Sequence, residues 1–148
     1  RFDPRRADAY PHSGTFNNNI LTMSSGHAGL TEVFTPEACV ALNAAGDDVR
    51  QRIAAVVEKH GMPVQVTGRG SMMVMHFCDG PMRGPADAGR SNKQALTLFH
   101  LHMMGQGMYV VPRGMINQSL PMTDGDRDSL VDAIDAFFGE YGGLLPAG

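Results

Sequence analysis

His12-Ser13-Gly14-Thr15-Phe16-Asn17-Asn18-Asn19-Ile20-Leu21-Thr22-Met23-Ser24-Ser25-Gly26-His27-Ala28-Gly29-Leu30 sets a glycine, hydroxyls and three amides directly ahead of a run of small and apolar residues. The run predicts a helix beginning near Asn18 or Asn19 and ending about Val33. A helix start leaves backbone N–H groups unpaired at the positive end of the macrodipole, which is chemistry suited to a phosphate. Thr and Asn in that place also serve as ordinary caps, and on the residues alone both readings stay open. Gly26 and Gly29, with Ala28, Ser24 and Ser25 around them, make a weak helix, since each glycine costs about 1 kcal/mol against alanine. What such residues allow is the close approach of another backbone or a ligand.

Working outward, residues 1–13 are polar with Pro4 and Pro11 and read as an extended arm. Thr35-Pro36-Glu37 is a helix-start signal: a hydroxyl cap, a proline in the first turn and an acid at the positive end. Val49, Ile53, Val56, Val57 and His60 then recur at helical spacing until Gly61 stops the helix. Val64–Thr67 and Ser71–Phe77 flank Gly68-Arg69-Gly70 and predict a hairpin, with Met72, Met73 and Met75 on one strand. Cys78–Gly89, rich in Gly and Pro, predicts an irregular loop. Ser91–Met104 predicts a helix apolar on most sides and covered on both faces. Met108–Val111 and Ile116–Leu120 predict two short strands around Pro112-Arg113-Gly114. Thr123 with Asp126 caps a last helix whose Leu130, Ile134, Phe137, Phe138 and Tyr141 form one stripe. The sum is an α+β fold, a small antiparallel sheet with helices packed on one face.

Composition narrows the function. A chain of 148 residues with 43% apolar content can bury one real core. Net charge is −3 with the signs interspersed and Trp is absent, so the basic face and stacking platform that nucleic acid needs are missing. No apolar run reaches the length of a membrane span, and Arg1-Phe2-Asp3-Pro4-Arg5-Arg6 lacks the apolar core of a signal peptide. The expected compartment is the cytoplasm, and neither nucleic acid nor membrane is an expected partner. Cys39 and Cys78 belong to no Cys-x-x-Cys pair and are expected as buried or half-buried free thiols. His100 and His102 are two apart on a helix, which fails the i, i+4 geometry of a metal pair, so no metal site is expected.

The Gly14-Thr15-Phe16-Asn17-Asn18-Asn19 segment ahead of a small-residue helix resembles the segment that opens the C-terminal part of class III pyridoxal-phosphate aminotransferases. That group includes glutamate-1-semialdehyde aminomutase and the β-amino-acid aminotransferases. The resemblance extends through Gly68-Arg69-Gly70-Ser71 and Tyr109-Val110-Val111-Pro112-Arg113-Gly114 to Ser119-Leu120-Pro121-Met122-Thr123-Asp124. It implies the C-terminal domain of a fold-type I pyridoxal-phosphate enzyme, with residues 1–17 as arm and phosphate-contact segment and 18–148 as the small domain. It further implies that Gly14 and Thr15, with Asn17 beside them, contact the cofactor phosphate of the neighbouring subunit in a homodimer. Arg113 is implied as a binder of a substrate carboxylate. Aminomutases commonly show Ser-Gly-Asn-Pro after the Thr-Phe pair, whereas Asn17-Asn18-Asn19-Ile20 stands here, so the β-amino-acid branch fits better.

Transamination also needs a lysine that forms a Schiff base with the cofactor. Lys59 and Lys93 are the two lysines, and both fall in solvated settings. The resemblance therefore implies a C-terminal piece of an aminotransferase, inactive alone, whose catalytic residues lie in a large domain upstream and whose substrates are an amino compound and a keto acid. An aminomutase is one alternative, and a non-catalytic ligand-binding module is another.

Overall fold

A computed structural model describes residues 3, 5–10, 14–16 and 19–145. The chain divides into two compact units, residues 1–38 and 39–148.

In the first unit, Arg5 pairs with Asp3 at 2.7 Å and Arg6 with Asp8 at 2.9 Å; both are exposed local pairs of little energetic weight. Helix α1 spans Ile20–Ala28 and continues as a π-helical turn over Gly29–Val33, closed by Phe34 N–H donating to Gly29 O at 2.7 Å. The predicted helix is present, with its last turn widened. No residue of either segment is buried, and Ile20 and Leu21 are 79% and 77% exposed.

Helix α2, Pro36–His60, opens at the end of the first unit with Ala38 N–H donating to Thr35 Oγ1; from Cys39 on it belongs to the second unit and is followed by Gly61 at φ +60°. Its buried face is Leu42, Gly46, Val49, Ile53 and Val57, spaced by three and four. Strands β1 (Gln65–Arg69) and β2 (Met72–His76) pair antiparallel with Arg69 opposite Met72. The turn is therefore only Gly70-Ser71, tighter than expected, with Gly68 and Arg69 inside β1. Gly70 has φ +57°, a conformation glycine adopts without strain. Asp47 Oδ1 accepts from Gly70 N–H at 3.0 Å and Asn43 Oδ1 from Ser71 N–H at 3.1 Å, so two side chains of α2 clamp the turn. Beneath it, a side chain at Gly46 would overlap the backbone of Gly70.

Beyond a loop carrying the short helix α3 (Pro85–Ala88) lies helix α4, Lys93–Gly105, capped by Asn92. Only one stripe of α4, Ala95, Phe99 and Met103, is buried, and Leu101 is 59% exposed; the expectation of cover on both faces is corrected. The predicted strand at Met108–Val111 does not form. Its backbone is used elsewhere, Met108 N–H donating to Met103 O at 2.9 Å and Val110 O accepting from His100 Nδ1 at 2.6 Å. Strand β3 is Met115–Asn117, antiparallel to β2 with Val74 opposite Met115. It ends early because Ser119–Met122 turns back through a 3.1 Å hydrogen bond. Helix α5, Asp124–Tyr141, starts with the Thr123–Asp126 capping box the sequence predicts. The sheet order is β1-β2-β3. Met73 and Met75 enter the core with Phe77, Phe99, Ile134, Phe137 and Phe138. Cys39 and Cys78 are half-buried free thiols.

The clamp makes a stability prediction. Gly46→Ala forces backbone apart and should destabilise the fold by about 1–3 kcal/mol despite alanine's better helix propensity. Gly26→Ala on open α1, where an added side chain meets nothing within 4 Å, should gain up to about 1 kcal/mol of helix propensity. Denaturant midpoints of the two variants check the contrast.

Candidate functional site

The alternation of β2 sorts its side chains: Met73 and Met75 face the core, while Met72, Val74 and His76 face outward. Through the register, Thr67 and Met115 flank Val74 on that outer face. His76 Nε2 lies 2.9 Å from Thr67 Oγ1, and burial holds the imidazole below its ordinary pKa of 6.5. Neither His76 nor Met115 belongs to a local motif, and only the two-residue period of the strands points to their shared side.

Arg113 sits at the edge of this face. Val111–Gly114 is a tight turn closed by Gly114 N–H donating to Val111 O at 2.9 Å. Gly114 O accepts from Met75 N–H at 2.9 Å, which fastens the turn to the end of β2. Gly114 has φ +79°, and an added Cβ would lie 2.6 Å from Met75 O and 2.8 Å from Leu96 Cδ2; only glycine suits such a place. The exposed Arg113 is thus presented by a rigid backbone. Its guanidinium donates from Nη2 to Met115 Sδ at 3.2 Å, and among the described residues no carboxylate meets it. Arg50, Arg52, Arg90 and Arg127 of the same unit each pair with an aspartate. The planar fork of Arg113 remains available for a carboxylate from outside.

In the first unit, Gly14, Thr15 and Phe16 form an exposed stretch that turns ahead of α1. Asn19 Oδ1 accepts from Leu21 N–H at 3.0 Å and Thr22 N–H at 3.2 Å, so for Asn19 the capping role holds and those donors are spent. Among the described residues the Thr15 hydroxyl has no partner. An exposed hydroxyl on a glycine-bearing turn can donate one hydrogen bond to an anion such as phosphate. Asn17 lies outside the described residues.

The two lysines lie on helices of the second unit. Lys59 Nζ pairs with Asp135 at 2.7 Å, and Lys93 opens α4. His60 Nε2 meets the same Asp135 at 2.5 Å, and Lys59 first, then His60, hold that carboxyl below its ordinary value. His102 Nε2 donates to Ala133 O at 3.0 Å, away from the His100 contact. Among the described residues no cluster of His, Cys, Asp or Glu could hold a metal, and no helix is long and apolar enough to cross a membrane.

No protein-family profile matches the sequence. The chain is 44% identical over 145 residues to the beta-phenylalanine transaminase of Variovorax paradoxus, covering 98% of this chain and 33% of that protein. The crystal structure of a beta-phenylalanine aminotransferase from the same organism superposes with a TM-score of 0.90 over 99% of this chain and 34% of that one. A glutamate-1-semialdehyde 2,1-aminomutase of Staphylococcus epidermidis is 27% identical over 125 residues, 84% of this chain and 29% of that protein. A transaminase solved with PLP bound shares the fold at 24% identity and a TM-score of 0.77, over 99% of this chain and 33% of that one. The small antiparallel sheet with its helices is the C-terminal domain architecture of pyridoxal-phosphate aminotransferases. In sequence and in fold the chain is similar to the C-terminal part of these aminotransferases and aminomutases, and it spans about a third of the length of the relatives it matches.

The outer-face histidine makes a pH prediction. The fold favours neutral His76, so the unfolded chain takes up the proton first, and this contribution to stability is present above pH 6.5 and is lost as pH falls below it toward the folded value. Lowering the pH from about 7.5 to about 5.5 should depress the melting temperature of the wild type, and His76→Gln should flatten that dependence. Melting curves across this range check it.

Proposed function

We propose that the protein containing this chain is a class III pyridoxal-phosphate-dependent aminotransferase that moves an amino group between a β-amino acid or related amino compound and a keto acid. The observation that carries the reading is Arg113: a guanidinium on a rigid turn, with no carboxylate partner among the described residues, in a chain 44% identical to a beta-phenylalanine transaminase. A planar fork meets a carboxylate in two parallel, charge-assisted hydrogen bonds, and it orients the substrate as well as holding it. Both the β-amino acid and the keto acid carry that group.

Pyridoxal phosphate, when bound, supplies the electron sink for the amino transfer. The part assigned to this chain is to hold and orient. Gly14 and Thr15, with Asn17 beside them, contact the cofactor phosphate of a partner subunit through the turn's hydroxyl and backbone N–H groups. Arg113 fixes the substrate carboxylate. The lysine that carries the cofactor and the acid that faces its ring nitrogen come from a large domain upstream. The exposed apolar surface of Phe16, Ile20, Leu21 and Met23 fits a segment that lies against other protein surface. The compartment proposed is the cytoplasm.

An intramolecular amino shift is the second reading, and its support is the 27% identity to an aminomutase. The two separate on whether turnover requires an added keto acid, and transfer predicts that it does.

In the cofactor-loaded protein, Arg113→Ala should raise the Michaelis constants for the β-amino acid and the keto acid about tenfold to a hundredfold, the range of a lost charged hydrogen bond. Steady-state kinetics with β-phenylalanine and 2-oxoglutarate check this, and unaltered constants would take Arg113 out of the site. Thr15→Ala should weaken cofactor binding about tenfold, read by fluorescence titration with pyridoxal phosphate; wild-type affinity would remove Thr15 from the phosphate contact.

A further inference from the structure

Met115 is the acceptor that Arg113 uses. The two residues flank Gly114, whose carbonyl is fastened to Met75 N–H, and Met115 is itself held in β3 opposite Val74. Both ends of the 3.2 Å contact between Arg113 Nη2 and Met115 Sδ therefore rise from backbone that is fixed. Met115 is half-buried, so its side chain has a restricted seat, while Arg113 is exposed and would otherwise sample many rotamers.

We infer that Met115 is a positioning residue for Arg113, its thioether orienting the guanidinium through a weak neutral acceptor that leaves the charge free for a substrate carboxylate. The inference rests on the carboxylate-binding reading of Arg113 and assigns how that binding is prepared. A thioether sulfur is polarizable, uncharged and a poor acceptor. It can occupy one N–H of the guanidinium while the opposite edge still presents donors. An aspartate or glutamate at the same place would form an internal ion pair and compete with the substrate for the fork. A branched aliphatic would fill the volume and leave Nη2 unheld, so that ordering the arginine falls on substrate binding. The aspartates that pair with Arg50, Arg52, Arg90 and Arg127 show what this fold does with arginines whose charge is settled internally.

The test uses the full-length, cofactor-loaded protein as wild type, Met115→Leu, Met115→Gln and Arg113→Ala, with a melting curve for each. Leucine keeps an apolar side chain and removes the acceptor; glutamine restores a neutral acceptor at similar reach. Two readouts are taken: the dissociation constant of glutarate, an unreactive dicarboxylate, by calorimetry, and the split between KM and kcat for 2-oxoglutarate. Met115→Leu should weaken glutarate about fivefold and raise KM by a similar factor, with the effect falling on KM rather than kcat, and Met115→Gln should recover most of the loss. Leucine matching wild type while Arg113→Ala has lost glutarate binding would overturn the positioning role and leave the arginine's role standing. Equal loss in the leucine and glutamine variants would also overturn it, because acceptor chemistry would then be irrelevant. Glutarate binding undiminished in Arg113→Ala would overturn the underlying reading and this inference with it.

Discussion

The anchoring of the far end of β2 governs the arrangement of the second unit. Phe77, one residue past the strand, donates its N–H to Ser91 Oγ at 2.9 Å and accepts at its carbonyl from Asn92 N–H at 2.9 Å. Both backbone groups of a buried residue are thus satisfied by the two residues that lead into α4. Its ring meets Phe99 at 5.7 Å, Phe137 at 5.9 Å and Phe138 at 6.2 Å, and Phe99 meets Phe137 edge-on at 5.2 Å. Tilted and edge-on pairs of this kind add about 0.5–1.5 kcal/mol each beyond the apolar area they bury. One residue therefore fastens the strand to α4 and α5 together and decides which face of the sheet is the inner one.

From that choice the site face follows by alternation. With Met73, Met75 and Ile116 committed to the core, Val74, His76 and Met115 must lie on the opposite side. A one-residue slip of β3 would exchange Ile116 and Met115, bury the thioether and carry the Pro112-Arg113 turn away from Met75. The clamp of Asn43 and Asp47 on the hairpin turn, and the bond from Met75 N–H to Gly114 O, hold the register at opposite ends of β2. Placement of Arg113 is in this sense a consequence of core packing.

Features governed by neighbouring residues were legible in the sequence. Thr35-Pro36-Glu37, Gly61 and the Thr123–Asp126 box act through bonds within one turn of helix, and each appears where its residues stand. The hairpin was legible as well, although its turn is shorter than the three residues Gly68-Arg69-Gly70, because Asp47 and Asn43 of α2 bind Gly70 and Ser71 and draw the turn to that dipeptide. What was not legible depends on partners far along the chain. Met108–Val111 has strand-forming residues, yet α4 claims its backbone through Met103 O and the His100 ring. Leu101 and its neighbours read as a fully covered helix, yet α5 and the sheet together cover a single stripe. Among the candidate residues, Gly14, Thr15 and Arg113 stand out by word order and resemblance, whereas Met115 and His76 become candidates only once strand pairing puts them on one face.

Several arginines of the second unit act as struts, while Arg69, Arg83 and Arg113 form no ion pair among the described residues, and of these three Arg113 alone has its guanidinium on a sulfur acceptor. Arg127 Nη1 pairs with Asp124 at 2.8 Å while its Nε donates to Gln118 Oε1 at 3.1 Å, and this fixes the first turn of α5. Arg50 does similar work beside the hairpin clamp, where it and the Gly70 N–H hold Asp47 below the ordinary carboxylate range. These side chains give up their charge to a local partner and act as struts. Arg113, at an exposed turn, meets a thioether, which cannot neutralise it. Backbone geometry that admits only glycine next to it fixes where the Arg113 side chain begins. A cation left unpaired on a fixed turn contributes little to stability, and this is the property the proposed carboxylate contact of Arg113 would use.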